Sequence, residues 1–199
     1  MSDPALSIRL GLDLDNTLVN YEAAFLRAAW DLGMVNVPWR GSKQELKASI
    51  HRGVGGSEMW QRLQGRVYSR YLAHARLMDG AALFLRRCRL RNIPLWIVSH
   101  KTKYGHFDEG GVPLRDEALG WLEAQGAFLE KGLGLARDRI SFESTRGGKA
   151  RRIGELGLTH FVDDLREVFE EASFPEETEQ VYYQKESLSE IEQDGRRTT

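Results

Sequence analysis

Four short apolar stretches of this chain stop abruptly at polar groups. Ile8 to Leu14 (IRLGLDL) carries Asp13 and leads into Asp15-Asn16-Thr17, and Ile93 to Val98 (IPLWIV) ends at Ser99-His100. Ile140–Phe142 is followed by Gly147-Gly148 and Lys149, and Thr159 to Val162 (THFV) ends at Asp163-Asp164. Apolar runs of this length read as buried strands. Helical stretches lie between them: Ala81 to Arg91, Arg115 to Lys131, Lys149 to Leu156 and Leu165 to Ala172, with a last strand over Gln180–Tyr183. Strands alternating with helices predict an α/β fold with a parallel sheet covered by helices on both faces. In such sheets the ligand crevice lies beyond the carboxyl ends of the strands, so the four polar groups are expected to converge there.

Their chemistry is specific. Asp13 and Asp15 are two residues apart and leave the same face of an extended backbone. Asp163 and Asp164 would join them, and crowded carboxylates need a cation or a shared proton. A hard divalent ion such as Mg²⁺ suits an all-oxygen donor set. Lys149 adds a positive charge and Ser99 a hydroxyl donor, so a dianionic phosphate fits between metal, Lys149 and Ser99. Asp13 could then attack phosphorus as a covalent nucleophile. Asp15 could give a proton to the leaving oxygen and later take one from water.

At these residues the chain resembles the haloacid dehalogenase-like hydrolase superfamily. Asp13-Leu14-Asp15-Asn16-Thr17 is similar to its first motif, Ser99 to its second, Lys149 in GGKARRI to its third and Asp163-Asp164 to its fourth, in the family order. The resemblance implies a Rossmann-like core with Asp13 as nucleophile and Asp15 as acid and base. It implies Mg²⁺ held by Asp13, the backbone carbonyl of Asp15, and Asp164 with Asp163 in support. An acid at the Asp15 position implies a phosphatase, cleaving a small phosphomonoester such as a sugar phosphate or nucleotide. A phosphomutase or phosphotransferase would use the same site, and a non-catalytic phosphate-sensing module would gather similar residues in a different order.

The stretch from Glu22 to Met78 resembles the helical cap that family members insert between the first two motifs. Core segments 1–21 and 79–184 then flank a cap at 22–78, and 185–199 is a polar tail. Tyr21 to Leu32 and Gln44 to His51 read as helices. Met59, Leu63, Val67 and Tyr71 recur at i+4 as the apolar stripe of a longer one. Arg52, in the glycine-rich RGVGGS segment, is the chosen substrate contact from the cap, with His51, Trp60 and Arg62 beside it. His100 is a further candidate substrate contact, next to Ser99. Lys101, Lys103 and His106 read as a solvated loop in preference to a source of positive charge near the site, and the five tryptophans as packing residues.

Charge and cysteine content narrow the setting. The 199 residues carry 28 Lys+Arg and 29 Asp+Glu, a net charge of -1. That balance gives no bulk attraction to nucleic acid or an anionic membrane, so a phosphorylated small molecule is the expected partner. Cys88 is the one cysteine, which excludes an internal disulfide and reads as an inert thiol in a reducing compartment. With no apolar run of transmembrane length and no signal-peptide core, the chain reads as a cytoplasmic enzyme. Oligomeric state is left open.

Overall fold

A computed structural model describes residues 8–105 and 111–184. The expectations for His106 and the 185–199 tail lie outside the described residues. Five strands form one parallel sheet: β1 (Leu10–Leu12), β4 (Leu95–His100), β5 (Ile140–Glu143), β6 (His160–Asp163) and β7 (Glu179–Tyr182). Their order across the sheet is β5-β4-β1-β6-β7. Leu12 of β1 pairs with Ile97 of β4 on one side and Val162 of β6 on the other. The chain moves outward from β1 through β4 to β5, then returns past β1 to β6. The reversal falls between β1 and β6, where such sheets open a crevice at their carboxyl ends. This is the expected Rossmann-like α/β architecture.

The strand alternation sorts the core onto two faces. Trp96, Val98 and Phe161 pack with Ile153 and Leu158 under α6 (Arg146–Glu155) and with Val168 of α7 (Arg166–Phe169). Leu12, Leu95 and Ile97 point the other way, into a cluster with Leu85 of α4 (Ala81–Leu90) and Leu122 of α5 (Leu114–Ala124). Gly11 faces the first side, where an added Cβ would sit 2.4 Å from Leu158 Cδ1 and 2.5 Å from Phe161 Cδ2.

Between β1 and α4 the chain forms three helices, α1 (Glu22–Asp31), α2 (Lys43–His51) and α3 (Gly56–Val67). Their apolar faces join the second cluster: Phe25 of α1 and Trp60 of α3 stack with centroids 4.9 Å apart. The excursion leaves and returns through a two-stranded antiparallel ribbon, β2 (Val19–Asn20) against β3 (Arg76–Leu77). The start of α2 is fixed by a capping box, in which Ser42 Oγ accepts from Glu45 N and the Glu45 carboxylate accepts from Ser42 N.

Several boundaries differ from expectation for local reasons. The predicted Arg115–Lys131 helix ends at Ala124, because Gly126 takes a left-handed φ of 68° and turns the chain. α6 begins three residues before Lys149, since Thr145 Oγ1 accepts the Gly148 N–H and caps it there. In α3, Leu63 and Val67 are buried as expected. Met59 is 38% exposed, Trp60 takes the inward place, and Tyr71 lies past the helix end. The helix expected over Leu165–Ala172 is a single turn, Arg166–Phe169.

Candidate active site

The β1/β6 reversal holds a buried charge network. Asp13 follows β1, its N–H bonded to Val162 O at 2.9 Å, so the neighbouring strand fixes its backbone. Asp163 ends β6. Lys149 reaches in from the first turn of α6 and is itself 1% exposed. Its Nζ lies 2.5 Å from Asp13 Oδ1 and 2.6 Å from Asp163 Oδ2. A lysine at a helix start opposes the helix dipole, and this one is held there by two carboxylates. Their charges raise the Lys149 pKa against its burial.

Asp13 and Asp164 are both pushed up, Asp13 to about 7 and Asp164 to about 6, chiefly because burial penalises the charged form. For Asp13 the charge of Lys149 opposes this, while Asp163 and Asp15 add to it. For Asp164 the charge of Asp163 adds to the burial. Carboxylate oxygens of Asp13, Asp163 and Asp164 lie within 4.8 Å of one another. A hard divalent cation is the group that such a donor set fits. The two β6-end acids are not equivalent. Asp163 is fully buried, forms an ion pair through Oδ2 with the Lys149 ammonium and accepts the Leu165 N–H on Oδ1 at 3.0 Å. Asp164 is half-buried and accepts a long 3.4 Å hydrogen bond from Thr17 Oγ1. Of the two carboxylates, Asp163 is thus the more fully engaged by its neighbours.

Asp15 belongs to a second cluster. Strand β1 ends at Leu12, so the alternation that would set Asp13 and Asp15 side by side does not continue through Asp15. The Asp15 carboxylate accepts from Tyr21 OH at 2.5 Å and from Lys101 Nζ at 2.7 Å. Lys101 is 4% exposed, which corrects its reading as part of a solvated loop. Strand β4 carries the chain past Ser99, and the Lys101 N–H bonds to Glu143 O at 2.8 Å. Arg115 Nε donates to the Lys101 carbonyl, and the Lys101 ammonium lies 4.7 Å from the Tyr68 ring centroid. Lys103 is exposed, against the ring of Tyr104.

Ser99 is fully buried at the end of β4, and its hydroxyl has no hydrogen-bond partner among the described residues. A buried hydroxyl without a partner is costly, and an incoming oxygen acceptor would satisfy it. His100 lies at the surface and bonds through Nε2 to Ser144 O at 3.2 Å. Burial of its ring lowers its pKa.

The inserted helices contribute a residue that the sequence did not single out. Lys43, the first residue of α2, donates from Nζ to Asn16 Oδ1 at 3.0 Å and lies 4.4 Å from the Phe25 ring centroid. Burial lowers its pKa, opposed by the charges of Asp164 and Asp15. The capping box was the available signal, because it locates the helix start and puts a cation against the dipole. Arg52 follows the other end of α2, about 13 Å further along the axis at 1.5 Å per residue. It is exposed and lines a surface hollow with Trp39 and Glu45. The helix therefore meets the carboxylates with its Lys43 end. Of the other candidates, Trp60 is packed on Phe25, Arg62 pairs with Glu58, and His51 bonds to Lys47 O.

No protein-family model and no curated relative matches the chain. Solved structures do. Protein tyrosine kinase A of Mycobacterium tuberculosis is similar over 96% of this chain and 99% of its own, at 15% identity and a TM-score of 0.52. A haloacid dehalogenase-like family hydrolase of Streptococcus pneumoniae covers 83% of this chain and 80% of its own, at 18% identity and a TM-score of 0.49. A HAD-superfamily hydrolase of subfamily IA from Geobacter sulfurreducens covers 92% and 90%, at 14% identity and a TM-score of 0.49. At these identities the likeness is one of fold.

Proposed function

We propose that this chain is a Mg²⁺-dependent phosphohydrolase of the haloacid dehalogenase-like kind, acting on a small phosphomonoester through an aspartyl-phosphate on Asp13. The supporting observation is the joint placement of Asp13, Lys149, Asp163 and Asp164 at the sheet reversal, with a buried Ser99 hydroxyl that has no partner among the described residues. Asp13 and Asp164, with the backbone carbonyl of Asp15, would hold the ion, and Asp163 would support them through Lys149. When bound, the ion supplies positive charge to phosphate oxygens and favours the ionised form of the ligating carboxylates.

The chain's own residues divide the remaining work. Lys149 and Ser99 donate to non-bridging phosphate oxygens. An Asp13 carboxylate oxygen forms a bond to phosphorus as the bond to the leaving alcohol oxygen breaks, and Asp15 gives that oxygen a proton. Asp15 then takes a proton from water as the water oxygen attacks the phosphorus of the acyl phosphate. Inorganic phosphate leaves and the Asp13 carboxylate is restored. Tyr21 and Lys101 hold Asp15 in one orientation for both transfers.

The test is release of p-nitrophenol from p-nitrophenyl phosphate with Mg²⁺. Asp13→Asn and EDTA should each abolish turnover, and ¹⁸O from labelled water should enter the released phosphate. Activity retained by Asp13→Asn, or without any divalent ion, overturns the scheme.

A further inference from the structure

Lys43 is placed against two physical preferences at once. It stands at a helix N-terminus, where the dipole disfavours a cation, and it is half-buried over an aromatic ring. Among the described residues its hydrogen bond goes to a neutral amide, Asn16 Oδ1. An ammonium carries three N–H donors, so this leaves donor capacity for a ligand. Asn16 is held in a left-handed conformation, φ 65°, directly after Asp15. Lys43 enters from the insertion while Lys149 enters from α6, so the two ammonium groups approach the carboxylates from different elements. Lys43 also neighbours Asp15, the residue that would protonate the leaving oxygen.

We infer that Lys43 binds an anionic group on the alcohol part of the substrate, so the preferred substrates are phosphomonoesters bearing a second negative charge near the ester. This rests on the phosphohydrolase reading above. On binding, an N–H of the ammonium beyond the one given to Asn16 donates to a carboxylate or second phosphate oxygen. The new bond joins two ionised groups where the ammonium now has a neutral acceptor, which corresponds to about a tenfold or greater preference.

The experiment uses two matched pairs of esters with Mg²⁺: phosphoglycolate against ethyl phosphate, and propane-1,3-diol bisphosphate against propyl phosphate. The wild-type kcat/KM should favour the charged member of at least one pair by tenfold or more. Lys43→Met should reduce that ratio at least tenfold, mainly through KM, and Lys43→Arg should keep most of it. The apolar stem of Met can stay on Phe25, and circular dichroism checks that the variant folds. Equilibrium binding of the same esters to Asp13→Asn protein separates the two readings. A charge preference in binding that Lys43→Met removes, without turnover by the wild type, sinks the hydrolase scheme and keeps the Lys43 assignment. Turnover with no charge preference in either pair overturns the Lys43 assignment and keeps the hydrolase. Equal losses on charged and neutral esters in Lys43→Met also overturn it.

Discussion

Lys101 Nζ lies 2.7 Å from one oxygen of Asp15, while the Tyr21 hydroxyl lies 2.5 Å from the other. The carboxyl group is therefore clamped from two elements that are far apart in sequence. A group that must give a proton and then take one gains from being fixed at both oxygens. General acid–base catalysis contributes about 10²- to 10⁴-fold, which bounds what its misplacement can cost. Lys101→Met should lower kcat by about 10- to 100-fold while KM moves much less, read by steady-state kinetics on p-nitrophenyl phosphate. An unchanged kcat would show that the clamp plays no part in turnover.

Lys149 lies between two carboxylates, and all three groups are almost fully buried. Removing one partner of a buried ion pair leaves an uncompensated charge and costs about 3–5 kcal/mol. Lys149→Met should lose stability of that order in urea titrations at pH 8. The loss should shrink at pH 5, where protons can neutralise Asp13. Equal losses at both pH values would contradict this account.

Burial raises Asp13 to about 7 and Asp164 to about 6 from an ordinary value of 3.8. Between pH 4 and 7 the metal-free folded protein then binds more protons at these groups than the unfolded chain. Stability from this source is present at low pH and is lost as pH rises through that window. The lowered pKa of His100 acts in the opposite sense, but this residue is exposed and solvent screens its contribution. The metal-free protein should therefore melt at a lower temperature at pH 7.5 than at pH 5.5. Mg²⁺ should raise the melting temperature more at pH 7.5, because protons and metal compete for the same oxygens.

Gly11 is required by contact rather than by backbone freedom. A Cβ there would meet Leu158 and Phe161 at 2.4 and 2.5 Å. Gly11→Ala should destabilise the protein by about 1–3 kcal/mol through overpacking, measured by chemical denaturation. A neutral result would mean that α6 and its following loop can shift away from the sheet without penalty.

How much of this was legible in the sequence follows from how local each signal is. Asp13, Ser99 and Asp163-Asp164 could be located because each follows an apolar run, and strand ends define the crevice. The burial of Lys101 could not, because it depends on a partner 86 residues away in the chain. On its own, HKTK after a strand resembles any solvated loop. Lys43 reaches Asn16 across 27 residues, and only the fold of the insertion brings them together. The ribbon strands β2 and β3 have two residues each, too short for any periodicity to register. Arg52 drew attention through its glycine-rich surroundings, a signal of loop chemistry that does not say which end of α2 meets the site.

The pairing of Val19 with Leu77 and of Asn20 with Arg76 gives the insertion a topological identity. Its two ends are hydrogen-bonded neighbours, so the whole three-helix excursion is, in connectivity, the loop of a β-hairpin. A tight turn from Asn20 to Arg76 would close that hairpin without altering the order of a single sheet strand. The same joint abuts Asp15, which bridges to Val19. Shortening or lengthening the excursion is thus separable from the sheet, but not from the acid that the hairpin's first strand adjoins.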